Sequence, residues 1–298
     1  MVLINVILPV FLVGGCGFIL AKSVKADATL LTKIVFYLLG PALVFRSIYT
    51  SDVTLDSAMW VAIYIVCIQG CMFGLSRLMG RLRGWQGDTQ ATGSLVLTFS
   101  NCGNYGLPVL LFAFGEEGFA LGIIYVLVST MMQSTLGIGI ASWHKGMAWK
   151  KWALHVLKVP YLYAFLLALL LRSAPFELPL GVFRAVDLMA GAAIPGQLLI
   201  LGIQLAAVRF HHFGLDSIGL SLIKLVVPPL LGWGITTLFG ITGLLQAVLI
   251  LEAAMPSAVN TLVLAMHFRR STELAATVVF VSTLLSLGTI ALVLTLLR

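Results

Sequence analysis

The most prominent pattern along the chain is a succession of long apolar runs separated by short polar stretches. Ten of these runs have the roughly 20 residues that an α-helix needs to cross the hydrocarbon core of a bilayer. Helix is the expected conformation, because lipid leaves every backbone N–H and C=O to be bonded within its own segment. Strands of a membrane β-barrel are about ten residues long and alternate in polarity, so these runs exclude a barrel. The predicted spans, numbered 1 to 10, cover residues 2–21, 28–49, 57–79, 91–113, 117–141, 156–173, 181–207, 216–239, 244–266 and 272–297.

The composition agrees with this pattern. Of 298 residues, 60% are hydrophobic and only 10% are charged, whereas a soluble globular domain has roughly a quarter charged residues. Intrinsic disorder is excluded because disordered chains are poor in apolar residues. The fold class is therefore an all-α integral membrane protein.

The basic residues lie mostly on one side of the predicted spans. The loops that follow odd-numbered spans, with their borders, hold 13 of the 18 Lys and Arg residues; the opposite side holds four, and Lys224 lies within span 8. Basic loops are typically cytoplasmic, which predicts a multi-pass protein of the cell (plasma or inner) membrane with both termini outside. The net charge of +7 is assigned to loops that face anionic lipid, and no nucleic-acid partner is expected.

Lys224 lies about two helical turns from the predicted cytoplasmic edge of span 8. We favour the interpretation that its ammonium group snorkels to that edge. Contact with a substrate or a carboxylate is the alternative.

The two halves of the chain resemble each other. Pro41 in YLLGPALVF and Pro195 in GAAIPGQLLI are 195 − 41 = 154 residues apart, and the Val-Ser-Thr triplets that begin at Val128 and Val281 are 281 − 128 = 153 apart. With five spans in each half, the second half enters the membrane from the opposite side, an inverted repeat typical of secondary transporters. The predicted domains are a first five-helix repeat (1–141), a cytoplasmic linker (142–155) and a second, inverted repeat (156–298).

Spans 4 and 9 carry corresponding signals for a broken helix. In span 4, Pro108 lacks an N–H and crowds the carbonyl of Asn104, which predicts a break there. In span 9, Pro256 frees the carbonyl of Glu252, and Glu252 is itself an ionisable group within a span. Two broken helices in matching positions predict the binding site of a transporter. The alternative is a pair of proline kinks in which asparagines bond between helices.

Two segments carry a family resemblance. Ser100–Pro108 (SNCGNYGLP) and Ala254–Asn260 (AMPSAVN) resemble the crossover segments of the auxin efflux carrier family, which includes plant auxin exporters and bacterial malonate and malate carriers. The resemblance extends over the whole chain and implies a fold similar to that of bile-acid sodium symporters. Spans 1, 2, 6 and 7 would form a scaffold and spans 3–5 and 8–10 a transport core, in which the broken helices 4 and 9 cross. It further implies organic-anion substrates, an elevator-type movement of the core, and a homodimer that associates through the scaffold helices.

Glu252 departs from the plant exporters and resembles the sodium-liganding glutamate of bile-acid symporters. Ser100 and Asn101 resemble the Ser-Asn pair of those symporters, but Gly122 and Val126 replace their hydroxyl ligands on helix 5. Coupling to sodium and coupling to protons therefore remain alternatives.

These observations predict a secondary active transporter of small carboxylates that works by elevator-type alternating access. A passive channel or facilitator, or a membrane solute sensor on the same scaffold, is the alternative. No P-loop or H-E-x-x-H motif is present, so we expect no enzyme activity, no cofactor, and no metal beyond a sodium ion at Glu252. The predicted substrate-binding residues are Asn101, Asn104, Tyr105, Pro108, Pro256, Ser257 and Asn260, and the predicted ion-coupling residues are Glu252, Ser100, Asn101 and Gln133.

Overall fold

The computed structural model of the chain describes residues 3–142, 159–175, 177–208 and 214–297, and within these ranges the regular structure is entirely helical. The predicted linker 142–155 lies outside the described residues except for Ser142, as does the beginning of predicted span 6. Seven of the described helices (α1, α2, α3, α5, α7, α8 and α11 below) are long and apolar enough to cross a membrane, and α6 and α9 are shorter apolar helices. The helices are α1 (Asn5–Val24), α2 (Ala28–Thr50), α3 (Leu55–Arg83), α4 (Gly87–Thr98), α5 (Cys102–Ala141), α6 (Pro160–Arg172), α7 (Leu180–Ala207), α8 (Leu215–Leu238), α9 (Gly243–Ala253), α10 (Val259–His267) and α11 (Thr272–Leu296).

Both helices predicted to be broken are divided in the structure. Predicted span 9 is split into α9 and α10 by a non-helical segment around Pro256, as expected. Predicted span 4 is split into α4 and the beginning of α5. The helix α5 contains a second interruption at Gly115, whose φ of 66° and ψ of −161° are accessible because glycine has no Cβ.

The break in span 4 lies earlier than predicted. The non-helical residues begin at Phe99, whereas Pro108 occupies the first α-helical turn that follows the π-helical turn Cys102–Gly106. In that wider turn the N–H of Leu107 bonds to the carbonyl of Cys102. The π turn gives the proline ring room that a regular α-turn would deny it, so Pro108 is accommodated without a break.

The helices pack as two groups. In the first group α7 packs along α1 and against α2, and α2 packs against α6. The α1–α7 contact is so close that a Cβ on Gly202 would overlap the carbonyl oxygen of Gly14, a use of small residues common between membrane helices. The second group contains α3, α4, α5 and α8 to α11, and in it α8 contacts α11, α9 and α3.

Candidate functional site

The two helix breaks are hydrogen-bonded to each other. The N–H of Asn101 donates to the carbonyl of Pro256 at 2.8 Å, and the N–H of Ala258 donates to the carbonyl of Phe99 at 3.0 Å. Together these bonds form a short antiparallel bridge between Ser100 and Ser257. Each break thereby supplies partners for backbone groups that the other leaves without a helical partner, which is the requirement for irregular backbone at membrane depth.

Two serine side chains hold this junction in place. The Ser257 hydroxyl donates to the carbonyl of Val96 in the last turns of α4 at 2.8 Å, and the Ser257 N–H donates to the Ser282 hydroxyl of α11 at 3.2 Å. Ser257 is fully buried and does not line the cavity described next. Its role as a substrate ligand stays a prediction, and in the structure its contacts join the break before α10 to α4 and α11.

A cavity of about 120 Å³ lies between the junction and helices α2 and α7. Five of the predicted residues line it together: Ser100, Asn101, Asn104, Gln133 and Asn260. Asn260 donates to the Gln133 side-chain oxygen at 3.3 Å, so residues of α5 and α10 meet at its wall.

Further polar residues that are not among the predicted site residues also line the cavity. Gln197 and Gln204 contribute from α7, where they are two helical turns apart on one face. Thr32 contributes from α2, and Ser129 and Thr130 from α5. Two glutamines spaced i, i+7 in an otherwise apolar span are the sequence signal that could have identified this wall.

Several polar atoms at the cavity are unpaired. The Nδ2 of Asn101, the Oε1 of Gln197 and the Oε1 of Gln204 are buried without a hydrogen-bond partner. An unmet buried donor or acceptor costs about 1–3 kcal/mol, so a polar ligand that bonds these groups would recover that cost.

The first turn of α5 gives the cavity a partial positive charge. Cys102, Gly103 and Asn104 all line it, and N–H groups in the first turn of a helix have no acceptor within the helix. Such a turn favours anions.

Besides Ser257, three more predicted substrate ligands do not line the cavity. Tyr105 is fully buried, its hydroxyl accepts a hydrogen bond from Ser286 at 3.1 Å, and its ring packs edge-on against Phe11. Pro108 is buried within α5, and Pro256 reaches the junction through its backbone carbonyl. Their contributions are to packing and to the shape of the breaks.

Glu252 lies at the end of α9 and is not among the residues that line the cavity. Its side chain is fully buried, and within the described ranges neither carboxylate oxygen has a hydrogen-bond partner. It packs so closely against Gly106 that a Cβ there would overlap Oε2, and a Cβ on Gly122 would lie 3.6 Å from Oε1. A bare carboxylate in such surroundings is costly, which makes this position suited to taking up a cation or a proton.

The snorkelling interpretation of Lys224 is wrong. Its side chain is fully buried, and its ammonium group donates to the carbonyl of Leu97 at 3.1 Å and to the Ser100 hydroxyl at 2.8 Å. The ammonium group bonds to the buried carbonyl end of α4. The Leu97 carbonyl has no partner within the helix because α4 stops at Thr98.

An apolar helical chain with two broken helices joined beside a polar cavity has the features of a membrane transport protein. A family model described as membrane transport protein matches residues 2–294, and the chain belongs to this family, the auxin efflux carrier family. An uncharacterized transporter from Methanothermobacter thermautotrophicus is 30% identical over 289 residues, which cover 96% of this chain and 94% of that protein. A second uncharacterized transporter, from Methanocaldococcus jannaschii, is 29% identical over 297 residues, covering 96% and 95% of the two chains. The family and the apolar helices indicate a multi-pass membrane transport protein.

Proposed function

We propose that the protein is a secondary transporter of small organic anions, with the substrate bound in the cavity beside the joined breaks of α4–α5 and α9–α10. The observation that carries the proposal is the position of this cavity. One wall comes from α2, α6 and α7 of the first helix group, and the other comes from α5, α10 and the two breaks of the second. A substrate held between two separately packed groups can be carried when one group moves against the other, as elevator-type alternating access requires.

The size and polarity of the cavity support a small carboxylate as substrate. At about 120 Å³ it is well below the roughly 300–1,000 Å³ of pockets that take drug-sized ligands. The first turn of α5 favours a negative group, and the unpaired Asn101 amide supplies a donor. A dicarboxylate with three or four carbons fits these features better than a bulky aromatic acid.

Glu252 supports coupling to one cation. Its carboxyl group has no hydrogen-bond partner among the residues that the structure describes, and it does not line the substrate cavity. We propose that it is neutralised by a proton or a sodium ion during transport.

The remaining arrangement is proposed on the basis of the sequence repeat and the family. The two repeats would span 1–141 and 156–298 around the linker 142–155, in ten crossings of the cell membrane with both termini outside. The separate packing of α1, α2, α6 and α7 supports their role as the scaffold. This scaffold would also form the homodimer contact and present apolar side chains such as Leu188 to lipid.

The test is uptake by proteoliposomes that contain the purified protein, with malonate and malate as probes, at two pH values and with or without sodium. Replacing Asn104 by alanine removes a polar group from the cavity wall and should reduce uptake roughly tenfold, the cost of about one ligand hydrogen bond. Asn5→Ala is the matched control, because Asn5 is exposed on α1 and far along the chain from the junction.

Counterflow distinguishes the transporter from a channel or a sensor. A carrier exchanges labelled for unlabelled substrate faster when substrate is present on both sides. Flux that never saturates would support a channel, and substrate binding without flux would support a sensor; either result contradicts the proposal.

A further inference from the structure

Lys224 is a buried positive charge at the centre of the helix junction. It extends from α8, and its ammonium group contacts the carbonyl of Leu97 and the hydroxyl of Ser100. Ser100 is the residue whose backbone bridges to Ser257 and whose side chain lines the cavity. Through Ser100, the ammonium group is therefore in contact with the junction and next to the proposed substrate site.

The charge of Lys224 is balanced by backbone rather than by an acid. Among the residues that the structure describes, no carboxylate lies within 4 Å of its nitrogen. Leu97 belongs to the last turn of α4, where the final carbonyls lack helical partners and carry the negative end of the helix dipole. In carriers with broken helices, such C-terminal ends and unwound carbonyls are where a mobile cation is coordinated.

We propose that the ammonium group of Lys224 takes the place of a mobile cation at the end of α4, as a cation that is permanently attached to the protein. The proposal rests on the transport function proposed above and specifies its ion requirement. The carbonyl of Leu97 and the hydroxyl of Ser100, which a sodium ion could otherwise bind, already accept hydrogen bonds from the ammonium group. The protein then holds at most one mobile cation, at Glu252.

The arrangement of the two charged groups supports this division. Lys224 is bonded to Leu97 at the end of α4 and to Ser100 within the break, whereas Glu252 packs against Gly106 and Gly122, which follow the break along the chain. A fixed positive group thus contacts the break itself, and a carboxyl group packs against the helix that follows it. A fixed charge at the first position also keeps the positive potential near the cavity when no anion is bound.

The experiment compares Lys224→Ala with Lys224→Met. The alanine variant removes the charge and leaves space, whereas methionine removes the charge and fills most of the space. The melting temperature, Tm, of each purified variant is measured without substrate in choline chloride, sodium chloride and methylammonium chloride, and uptake is measured in the same salts. Lys33→Ala is the control, since Lys33 is exposed on α2.

We expect Lys224→Ala to melt roughly 5 °C below wild type in choline, the loss expected for hydrogen bonds to a buried charge. Methylammonium or sodium should restore most of that difference and should restore uptake. Lys224→Met should be inactive and should not respond to either cation, while Lys33→Ala should behave as wild type.

Three results would overturn the proposal. One is a Lys224→Met protein with wild-type uptake, which would show that the charge is dispensable. Another is a folded Lys224→Ala protein whose Tm is the same in all three salts. If Lys224→Ala yields no folded protein in any of the salts, the lysine is a packing element and the proposal likewise fails. The Tm measurement does not need a substrate. If cations restore the Tm of Lys224→Ala but the protein transports no anion, the proposed function is contradicted while the role of Lys224 remains supported.

Discussion

At the scale of single residues, the two buried charged side chains have opposite surroundings. Lys224 has two hydrogen-bond acceptors at the end of α4, while Glu252 has no hydrogen-bond partner at either oxygen. Burying an unpaired charge is among the most costly things a protein can do. A group left in that condition within a transporter is therefore expected to bind and release a cation.

Replacing Glu252 by glutamine tests that expectation. Glutamine has nearly the same shape and cannot take up a proton or balance a sodium ion. We expect uptake to lose its dependence on pH or sodium, whichever wild type shows, while Tm stays close to the wild-type value. Glu273→Gln, at an exposed position in the first turn of α11, should keep the wild-type dependence. Coupling that survives unchanged in Glu252→Gln would contradict the assignment.

At the scale of helices, the structure depends on two kinds of close backbone approach. One is the hydrogen-bonded pair of breaks, and the other is the contact of α1 with α7 at Gly17 and Gly202. In lipid, close van der Waals packing replaces much of the hydrophobic driving force between helices. The α1–α7 contact therefore gives the proposed scaffold much of its rigidity.

Gly202→Ala should destabilise that contact, because the added Cβ would overlap the backbone of Gly14 and Phe18. Overpacking of this kind costs about 1–3 kcal/mol, so we expect a clear loss of Tm in detergent. Gly191→Ala is the matched control on the same helix, where a Cβ meets nothing within 4 Å. It should leave stability unchanged or raise it by up to about 1 kcal/mol, since alanine is the better helix former. Equal Tm values for the two variants would contradict this account of the contact.

At the scale of the whole molecule, an ion pair ties the two helix groups together at the end opposite the basic loops. Arg46 of α2 pairs with Glu116 of α5 at 3.3 Å and with Asp187 of α7 at 3.0 Å. The first pair joins the two groups, whereas the second lies within one group. The cavity, in contrast, is lined by Thr32 and Gln204, which lie in the parts of α2 and α7 nearest the basic loops.

Glu116→Gln should therefore favour separation of the two helix groups at the end that holds Arg46, and Asp187→Asn should not. The labelling rate of Cys102, which lines the cavity, by an impermeant maleimide added from that end reports the opening once the other three cysteines are replaced. A partly exposed ion pair contributes up to about 1 kcal/mol, so we expect up to a fivefold faster rate. Equal rates in the two variants would mean that the pair does not hold the groups together.

Much of the architecture could be predicted because its causes act locally. Long apolar runs leave helix as the conformation, and Pro256 interrupts α9–α10 at the predicted place. Pro108 shows the limit of that reasoning, because the preceding π turn absorbs its ring and moves the break to Phe99–Asn101. Whether a turn is α-helical or π-helical depends on packing against neighbouring helices, and the local sequence does not predict it.

The sequence by itself determined that the chain is a helical membrane protein, that two of its helices are interrupted, and that asparagines gather at the interruptions. Apolar length and proline act through the backbone, and their effects do not depend on distant residues. Only the tertiary structure decided which side chains meet. The packing of the neighbouring helices leaves Asn101 and Asn104 at the cavity, places Tyr105 and Ser257 in the packed interior, and brings Lys224 to the end of α4.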